Sequence, residues 1–379
     1  MESPRLSSCP DGRTKTFCTN GPSSRPTYYG GVVPPNWPSA PAPTLTVHET
    51  ARPPAPVLRY VDQIVGSPTT VQYRFSQGVL TAFDVDVVHV ADANLELLLG
   101  TGRASTYQQL LATLVLIRNL RRHGIALVRT LPPNARRSAD RLQRLASWML
   151  DRATTTFVAF DNSVATPDRT RTVIIPHAHY RERFVGFPRG AMVPGRILCL
   201  SATALPTDSR GLLALPRIMD TEGVTLRLAG KVTSPLLKES IRSALAQHRA
   251  TVSVRNEQLS DGAQVHEISS AELVVLPHVE TLSDLQLIFV ALSLNRPILV
   301  PRTPATVRLA LSVGPAWVHL SDGPITAQVV DVAFASIRNI ARSEQPNLEG
   351  RDLTSIHAAY EATFRAAVAM ARRHIVQPM

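Results

Sequence analysis

Polar residues that could bind an anion follow an apolar run in the stretch "AELVVLPHVETLSDLQLIFVALSLNRPILVP", residues 271–301. The apolar run ends at a proline, and the polar segment after it contains Glu280, Thr281, Ser283 and Asp284. A helix N-terminus presents free N–H groups and partial positive charge, which suits a phosphate group. The stretch therefore predicts an anion-binding loop between a strand and a helix. The alternative is an ordinary helix start, capped by Ser283 and carrying acidic charge in its first turn.

Two further segments place titratable or cationic side chains directly after an apolar run. "PHAHYRERF" contains His177 and His179, and histidine titrates near neutral pH, so either could act as an acid or base or hold a ligand. "LAGKVTSP" ends a strand at Gly230, where backbone can approach a ligand closely, and Lys231 could bind phosphate. The alternatives are a structural turn for the histidines and a solvated surface lysine.

The elements that must position these residues alternate between apolar strands and amphipathic helices. Strands are predicted at 69–75, 85–91 and 125–131, with a helix at 106–124, and the same alternation restarts at "PGRILCLSA". A last long helix is predicted over 353–374. Such alternation favours parallel strands joined by right-handed crossovers, and two α/β domains joined near 185–195 are the simplest account.

Length and composition are typical of a folded protein with ordinary cores. The chain has 379 residues, of which 44% are hydrophobic and 18% charged. It contains no run of eighteen or more apolar residues, and its N-terminus lacks the pattern of a signal peptide, so we expect a cytoplasmic protein with a disordered leader. The three cysteines have no metal-ligand spacing, and a disulfide framework is not expected.

The positive charge is carried almost entirely by arginine. The net charge is +11 with a pI near 10.3, and there are only three lysines. This balance suits a phosphorylated ligand or an anionic membrane surface, although a codon bias could produce it as well. We expect no nucleic-acid partner, because the arginines are scattered and no DNA- or RNA-binding signature is present.

The ordered blocks of the chain resemble those of GT-B glycosyltransferases. These blocks are "DVDVVHVADANLELLL", "IALVRTL", "TRTVIIPHAHYRERF", "PGRILCLSA…SRGLLAL", "VTLRLAGKVTSP", "SSAELVVLP…VALSLNRPILVP" and "VGPAWVHL". Within that fold, the chain is most similar to the GDP-mannose:glycolipid β-mannosyltransferases of xanthan-type exopolysaccharide assembly, over roughly residues 55 to 375. The resemblance implies an α/β GT-B fold, in which two Rossmann-like domains face a cleft.

The resemblance also implies a domain division and a set of site residues. It predicts a leader at 1–54, an acceptor domain at 55–190, a nucleotide-sugar domain at 191–352 and a C-terminal helix at 353–379. The family's general base aligns with Asn94, so Asp92 is the candidate base here, with Glu96 behind it; the alternative is a strand-end turn in which Asp92 or Asn94 caps the next helix. His177 and His179 would act as acid or base or hold the acceptor. The implied donor-binding residues are Arg210, Gly230, Lys231, Glu280, Ser283 and Asp284. The chain departs from the family at Thr207, where a second cation would be expected, and at Pro132-Pro133, which replaces a His-Asn pair.

Three functional interpretations remain open at this stage. The first is an active glycosyltransferase that moves a sugar, with GDP-mannose as the expected donor, to a lipid-linked or saccharide acceptor. The second is a catalytically degenerate homologue that binds a nucleotide sugar without turnover. The third is a basic binding protein for a phosphorylated or lipid-linked ligand. No cofactor and no metal are expected, since the nucleotide sugar is a substrate and fixed cations and helix N-termini can hold its diphosphate in this fold. Peripheral association with an anionic membrane is expected.

Overall fold

The computed structural model describes residues 44–49, 70–75, 84–91, 105–132, 140–200, 210–218, 222–232, 234–248, 251–339 and 344–376. Residues Pro43–Met379 form one compact unit. Within it lie two six-stranded sheets, and every strand pair in both sheets is parallel. The predicted pair of α/β sheets is therefore present.

The first sheet has the strand order β2-β1-β3-β4-β5-β6. Its strands are β1 (Leu45–Glu49), β2 (Val71–Phe75), β3 (Val87–Val90), β4 (Ala126–Thr130), β5 (Thr156–Ala159) and β6 (Thr172–Ile174). Its described crossover helices are α1 (Thr106–His123) and α2 (Arg141–Ala153). Strand β1 lies within the range that the sequence predicts as leader, so the sheet begins earlier in the chain than that range suggests.

The second sheet has the order β12-β11-β10-β7-β8-β9. Its strands are β7 (Arg196–Leu200), β8 (Thr225–Ala229), β9 (Val252–Arg255), β10 (Leu273–Val275), β11 (Ile298–Pro301) and β12 (Val318–Ser321). Its helices are α3 (Arg210–Ile218), α4 (Pro235–His248), α5 (Asp261–Ser269), α6 (Leu282–Ser293), α7 (Pro304–Val313) and α8 (Ala327–Arg338). Helix α3 is short and contains Pro216.

The last helix, α9 (Leu353–Val376), returns to the first sheet. It packs against β3 and β4, and its Tyr360 and Phe364 are fully buried there. One apolar cluster runs without interruption from the first sheet through α6 to α9, so the two halves share a core. Among the described residues, no helix combines the length and apolar character needed to span a membrane.

Candidate functional site

The loop after β10 and the start of α6 form the predicted anion-binding segment. Thr281 is the N-cap of α6, and its hydroxyl accepts a hydrogen bond from the Asp284 N–H at 3.2 Å. The alternative with Ser283 as the cap is wrong, because Ser283 lies exposed one residue inside the helix. The capping box forms because Asp284 stands three residues after the threonine, close enough to reach back to the free amides.

Asp284 is the acidic half of this capping box and is nearly buried. Its Oδ2 accepts hydrogen bonds from the Glu280 N–H at 3.0 Å, the Thr281 N–H at 2.9 Å and the Thr281 hydroxyl at 2.9 Å. A carboxylate at this end of a helix already compensates part of its positive dipole. The protein therefore supplies an anion of its own at the place where the sequence predicts that a ligand's phosphate binds.

Gly230 and Lys231 lie at the same edge of the second sheet as this loop. β8 is separated from β10 only by β7, and parallel strands present their carboxyl ends at one edge. Gly230 follows β8 with φ 122°, a conformation that favours glycine, and its N–H donates to the Arg255 carbonyl at 3.0 Å. Lys231 is exposed, so its ammonium is available at this edge.

Two of the predicted site residues cannot be placed relative to this edge. Asp92, the predicted base, lies outside the described residues. Arg210 begins helix α3, but its side chain is not among those described. Both remain predictions from the sequence.

His177 is fully buried between aromatic rings. Its ring stacks on Phe289 of α6 with centroids 4.7 Å apart, and its Nδ1–H donates to the Ala178 carbonyl at 2.9 Å. Burial lowers the pKa of His177 to about 3, and the nearby Arg351 guanidinium acts in the same direction. The imidazole therefore stays neutral near pH 7, and its ring packs as part of an apolar wall.

His179 is half-buried, and its backbone N–H donates to the Arg351 carbonyl at 2.8 Å. Burial lowers its pKa, and the Arg181 guanidinium adds to this shift, whereas Glu182 and Asp352 oppose it. Its Nδ1 is buried and has no hydrogen-bond partner among the described residues. Of the two histidines, His179 is the one with access to solvent.

A pocket of about 180 Å³ opens between the carboxyl end of the first sheet and helices α6 and α7. Residues that follow β5 and β6 form one side, and residues of α6, α7 and the segment before α9 form the other. Its lining consists of Phe160, Asp161, Val164, His177, Leu285, Phe289, Ala305, Thr306, Arg308, Leu309, Ser312 and Arg351. Sites that bury a whole drug-sized ligand measure roughly 300–1,000 Å³, so this volume fits one sugar ring rather than a complete nucleotide sugar.

The charged groups of the pocket are one carboxylate and two guanidinium groups. Asp161 follows β5, and its Oδ1 accepts from the Ser163 N–H at 2.5 Å, while Arg308 of α7 is exposed. The Arg351 guanidinium lies 4.9 Å from the Phe289 ring centroid and donates to the His177 carbonyl at 3.2 Å. Burial lowers the pKa of Arg351, and the Asp161 carboxylate opposes that shift. Apolar walls with a few convergent charges are typical of a ligand site.

Asp161, Arg308 and Arg351 are pocket residues that the sequence did not predict. Arg308 belongs to α7, whose start has a recognisable signal in "TPATVRL", with Thr303 as N-cap and Pro304 in the first turn. Asp161 and Arg351 lie in irregular segments far apart in the chain, where periodicity provides no information.

A second buried polar group lies inside the first sheet. His89 Nδ1 is 2.5 Å from Glu49 Oε2, and its Nε2 is 2.9 Å from the Thr130 hydroxyl. The edges of Tyr360 and Phe364 from α9 cover the ring. Because all three polar side chains are at most 1% exposed, this group joins three strand ends rather than facing the pocket.

The chain is similar to two named mannosyltransferases. The "GDP-mannose:glycolipid 4-beta-D-mannosyltransferase" of Xanthomonas campestris pv. campestris strain ATCC 33913 is 29% identical over 339 residues, which are 87% of this chain and 95% of that protein. A second protein with the same name from X. campestris pv. campestris is 28% identical over the same shares. No protein-family model matches the chain. The predicted resemblance is confirmed, and the names of these homologues support transferase chemistry.

Solved structures show the fold. HepE of Anabaena in complex with UDP has a TM-score of 0.51 at 11% identity, over 88% of this chain and 98% of that one. The same protein in complex with UDP-glucose has a TM-score of 0.50 over the same shares. Together with the two parallel sheets, these structures confirm the predicted α/β GT-B architecture.

Proposed function

We propose that this protein transfers mannose from GDP-mannose to a lipid-linked saccharide acceptor in exopolysaccharide synthesis. The observation that carries the proposal is the similarity to the mannosyltransferases of Xanthomonas, which extends over 95% of their length. A shared length of this kind includes both halves of a GT-B enzyme, whereas a single binding module would match only one. The proposed location is the cytoplasm, at the inner face of the membrane where such acceptors are carried.

The donor diphosphate is proposed to bind at the carboxyl edge of the second sheet. Lys231 at the end of β8, Arg210 at the start of α3 and the loop around Glu280 would surround it. Cations and helix amides can stabilise the charge of a leaving diphosphate without a cofactor. Among the described residues, no group of three or more histidine, cysteine or acidic side chains is arranged to hold a metal ion.

The transferred sugar and the acceptor hydroxyl are proposed to meet in the pocket. Its walls come from segments of both halves of the chain, and the Phe160, His177 and Phe289 rings provide apolar surface for a sugar ring. A β-product from an α-linked donor requires inversion, and therefore a base beside the attacking hydroxyl. Asp161 is the carboxylate that lines the described pocket, and it joins Asp92 as a candidate base.

The test measures GDP release and product formation by the purified full chain with GDP-mannose and membrane extract as the acceptor source. UDP-glucose and UDP-glucuronate serve as alternative donors. Asp161→Asn keeps the oxygen that Ser163 contacts but removes the basic carboxylate, and we expect kcat to fall by about 10²-fold or more. Arg308→Gln at the exposed rim should mainly raise KM. The matched control is Arg242→Gln on α4, an exposed arginine away from the pocket, which should leave both parameters unchanged.

The outcomes separate the alternatives. GDP-mannose binding without turnover in the parent protein supports the degenerate homologue. Full turnover in Asp161→Asn contradicts the role of that carboxylate and leaves Asp92→Asn as the remaining base variant. Absence of both binding and turnover with every donor would refute a nucleotide-sugar enzyme.

A further inference from the structure

Helix α1 exposes an apolar surface that no described element covers. Tyr107 is 61% exposed, and Leu111, Leu114 and Val115 are between 44% and 49% exposed. At 100° per residue these four positions fall on one side of the helix, opposite Leu116 and Leu120, which pack onto the sheet. An outward helix face in a soluble protein normally carries polar residues, so this one requires an explanation.

The neighbouring helix α2 exposes a similar surface. Trp148 is 58% exposed, and Leu142 and Leu145 are also exposed, while Ala146 and Leu150 of the same helix are buried against the sheet. Tryptophan has a large apolar body and one polar N–H, and it is enriched where one side of a residue is apolar and the other wet.

The two helices present these residues on one continuous surface. α1 connects β3 to β4 and α2 connects β4 to β5, and these strands are neighbours in the sheet. Successive right-handed crossovers place both helices on the same side of the sheet. Gln143 of α2 donates a hydrogen bond to Gln109 of α1 at 3.4 Å, which fixes them side by side. We call the exposed apolar residues of these two helices the α1–α2 face.

Arginines surround the α1–α2 face. α1 contains no acidic residue and carries Arg118, Arg121 and Arg122, all exposed, while α2 carries exposed Arg141, Arg144 and Arg152. The acid within α2, Asp151, is paired with Arg129 at 2.5 Å. Arg118 and Arg122 continue the line of Leu111, Leu114 and Val115 along α1, so apolar and cationic side chains point the same way.

We propose that the α1–α2 face docks the protein on an anionic lipid bilayer. Apolar side chains enter the headgroup boundary while arginines bind lipid phosphates, which is how interfacial helices attach to membranes. A second copy of the chain fits poorly, because a symmetric interface would place the same six arginines opposite one another. An anionic bilayer offers phosphates for the arginines and an apolar boundary for the exposed leucines, tyrosine and tryptophan.

The direction of the helices relates one end of this surface to the pocket. α1 and α2 begin after the carboxyl ends of β3 and β4, and the pocket residues Phe160 and Asp161 follow the carboxyl end of β5. The N-terminal ends of both helices, which carry Tyr107 and Leu142, therefore lie toward the edge of the sheet where the pocket opens. A lipid-linked acceptor could then reach the pocket without leaving the bilayer. This consequence rests on the proposed function, whereas docking itself does not.

The first experiment measures binding of the full chain to vesicles, without any sugar donor. Vesicles of phosphatidylcholine alone are compared with vesicles containing equal parts of phosphatidylglycerol. We expect binding to the anionic vesicles, and weaker binding as salt rises. The pair Leu111→Ser with Trp148→Ser should weaken binding by more than about tenfold. Arg118→Gln and Arg122→Gln should each weaken binding to anionic vesicles by about fivefold.

The controls use exposed apolar residues of the second half. Leu236 on α4 is 68% exposed and Val332 on α8 is 65% exposed, so the pair Leu236→Ser with Val332→Ser removes apolar surface of similar exposure elsewhere. These variants should bind vesicles as the parent does. Circular dichroism and thermal unfolding verify that each variant is folded, which is expected because every changed side chain is exposed.

A second measurement tests directly whether Trp148 enters the lipid bilayer. Its fluorescence should shift to shorter wavelength on anionic vesicles, and the shift should disappear in Trp148→Phe while binding is largely retained. Equal loss of binding in the control pair, no binding by the parent, or an unshifted Trp148 would overturn the proposal. So would a parent dimer that the face variants convert to a monomer with vesicle binding kept, because the face would then be a subunit interface.

Discussion

Replacing Asp284 with asparagine tests whether this residue caps helix α6 or contacts the donor sugar. The structure gives the carboxylate three hydrogen bonds, from the N–H groups of Glu280 and Thr281 and from the Thr281 hydroxyl, at 2.9 to 3.0 Å. Asparagine retains one oxygen acceptor of the same shape but removes the negative charge. The variant therefore weakens the cap without opening a cavity.

The expected loss of stability is about 1 kcal/mol. A carboxylate at a helix N-terminus contributes about 0.3–1 kcal/mol through the helix dipole. Hydrogen bonds to a charged group also exceed neutral ones by up to about 1.5 kcal/mol each, although the amides at this loop can partly hydrate. Ser283→Ala is the matched control, since this exposed neighbour does not cap the helix, and it should leave the urea midpoint unchanged.

The same substitution should tighten the binding of GDP. A unit charge removed from about 6 Å away in a wet site changes the energy of an anion by about 1 kcal/mol, which is about fivefold in Kd. Calorimetry with GDP and with GDP-mannose on both variants measures this change. If Asp284 instead held the sugar, affinity for GDP-mannose would fall while affinity for GDP stayed the same, and that result would refute the capping interpretation.

Two further predictions concern buried groups. The folded-state pKa of His177, about 3, lies below the unfolded value near 6.5, so the unfolded chain binds a proton first and stability falls as pH drops below about 6.5. His177→Phe keeps the contact with Phe289 and should reduce the loss of stability between pH about 7.5 and about 5, measured by urea titration. An unchanged pH dependence would contradict the contribution of His177. Burial raises the pKa of the Cys199 thiol to about 12, so a maleimide should label it only after unfolding. Fast labelling of Cys199 in the native protein, distinguished from Cys9 and Cys18 by peptide mass spectrometry, would contradict this.

The fold could be predicted from the sequence because the spacing of apolar residues differs clearly between strands and helices along most of the chain. The predicted helix 106–124 corresponds to α1, where Ser105 forms a capping box with Gln108 and Gly124 ends the helix in the left-handed conformation. Helices α5, α7 and α8 were not predicted. They are only nine to twelve residues long, so each shows the helical period over only about three turns.

The candidate site was harder to predict from the sequence, because the role of each residue depends on the side chains that it contacts. From the sequence alone, His177 and Asp284 qualify as ligand-binding groups, and only the structure shows the stacked ring on Phe289 and the capping box with Thr281. Asp161 and Arg351 line one pocket although they stand far apart in the chain. No local pattern encodes that proximity, since it depends on how the two sheets face each other.

Helix α9 makes the N-terminal half depend on residues far downstream in the chain. Tyr360 and Phe364 close over His89, Glu361 accepts a hydrogen bond from the Thr70 hydroxyl at 2.9 Å, and Arg372 pairs with Asp86 at 2.6 Å. On the ribosome, the surface of the first sheet therefore stays open until the residues of α9 have been synthesised. A fragment that stops at the domain junction would leave that sheet open, so soluble expression of this half requires the terminal helix to be supplied with it.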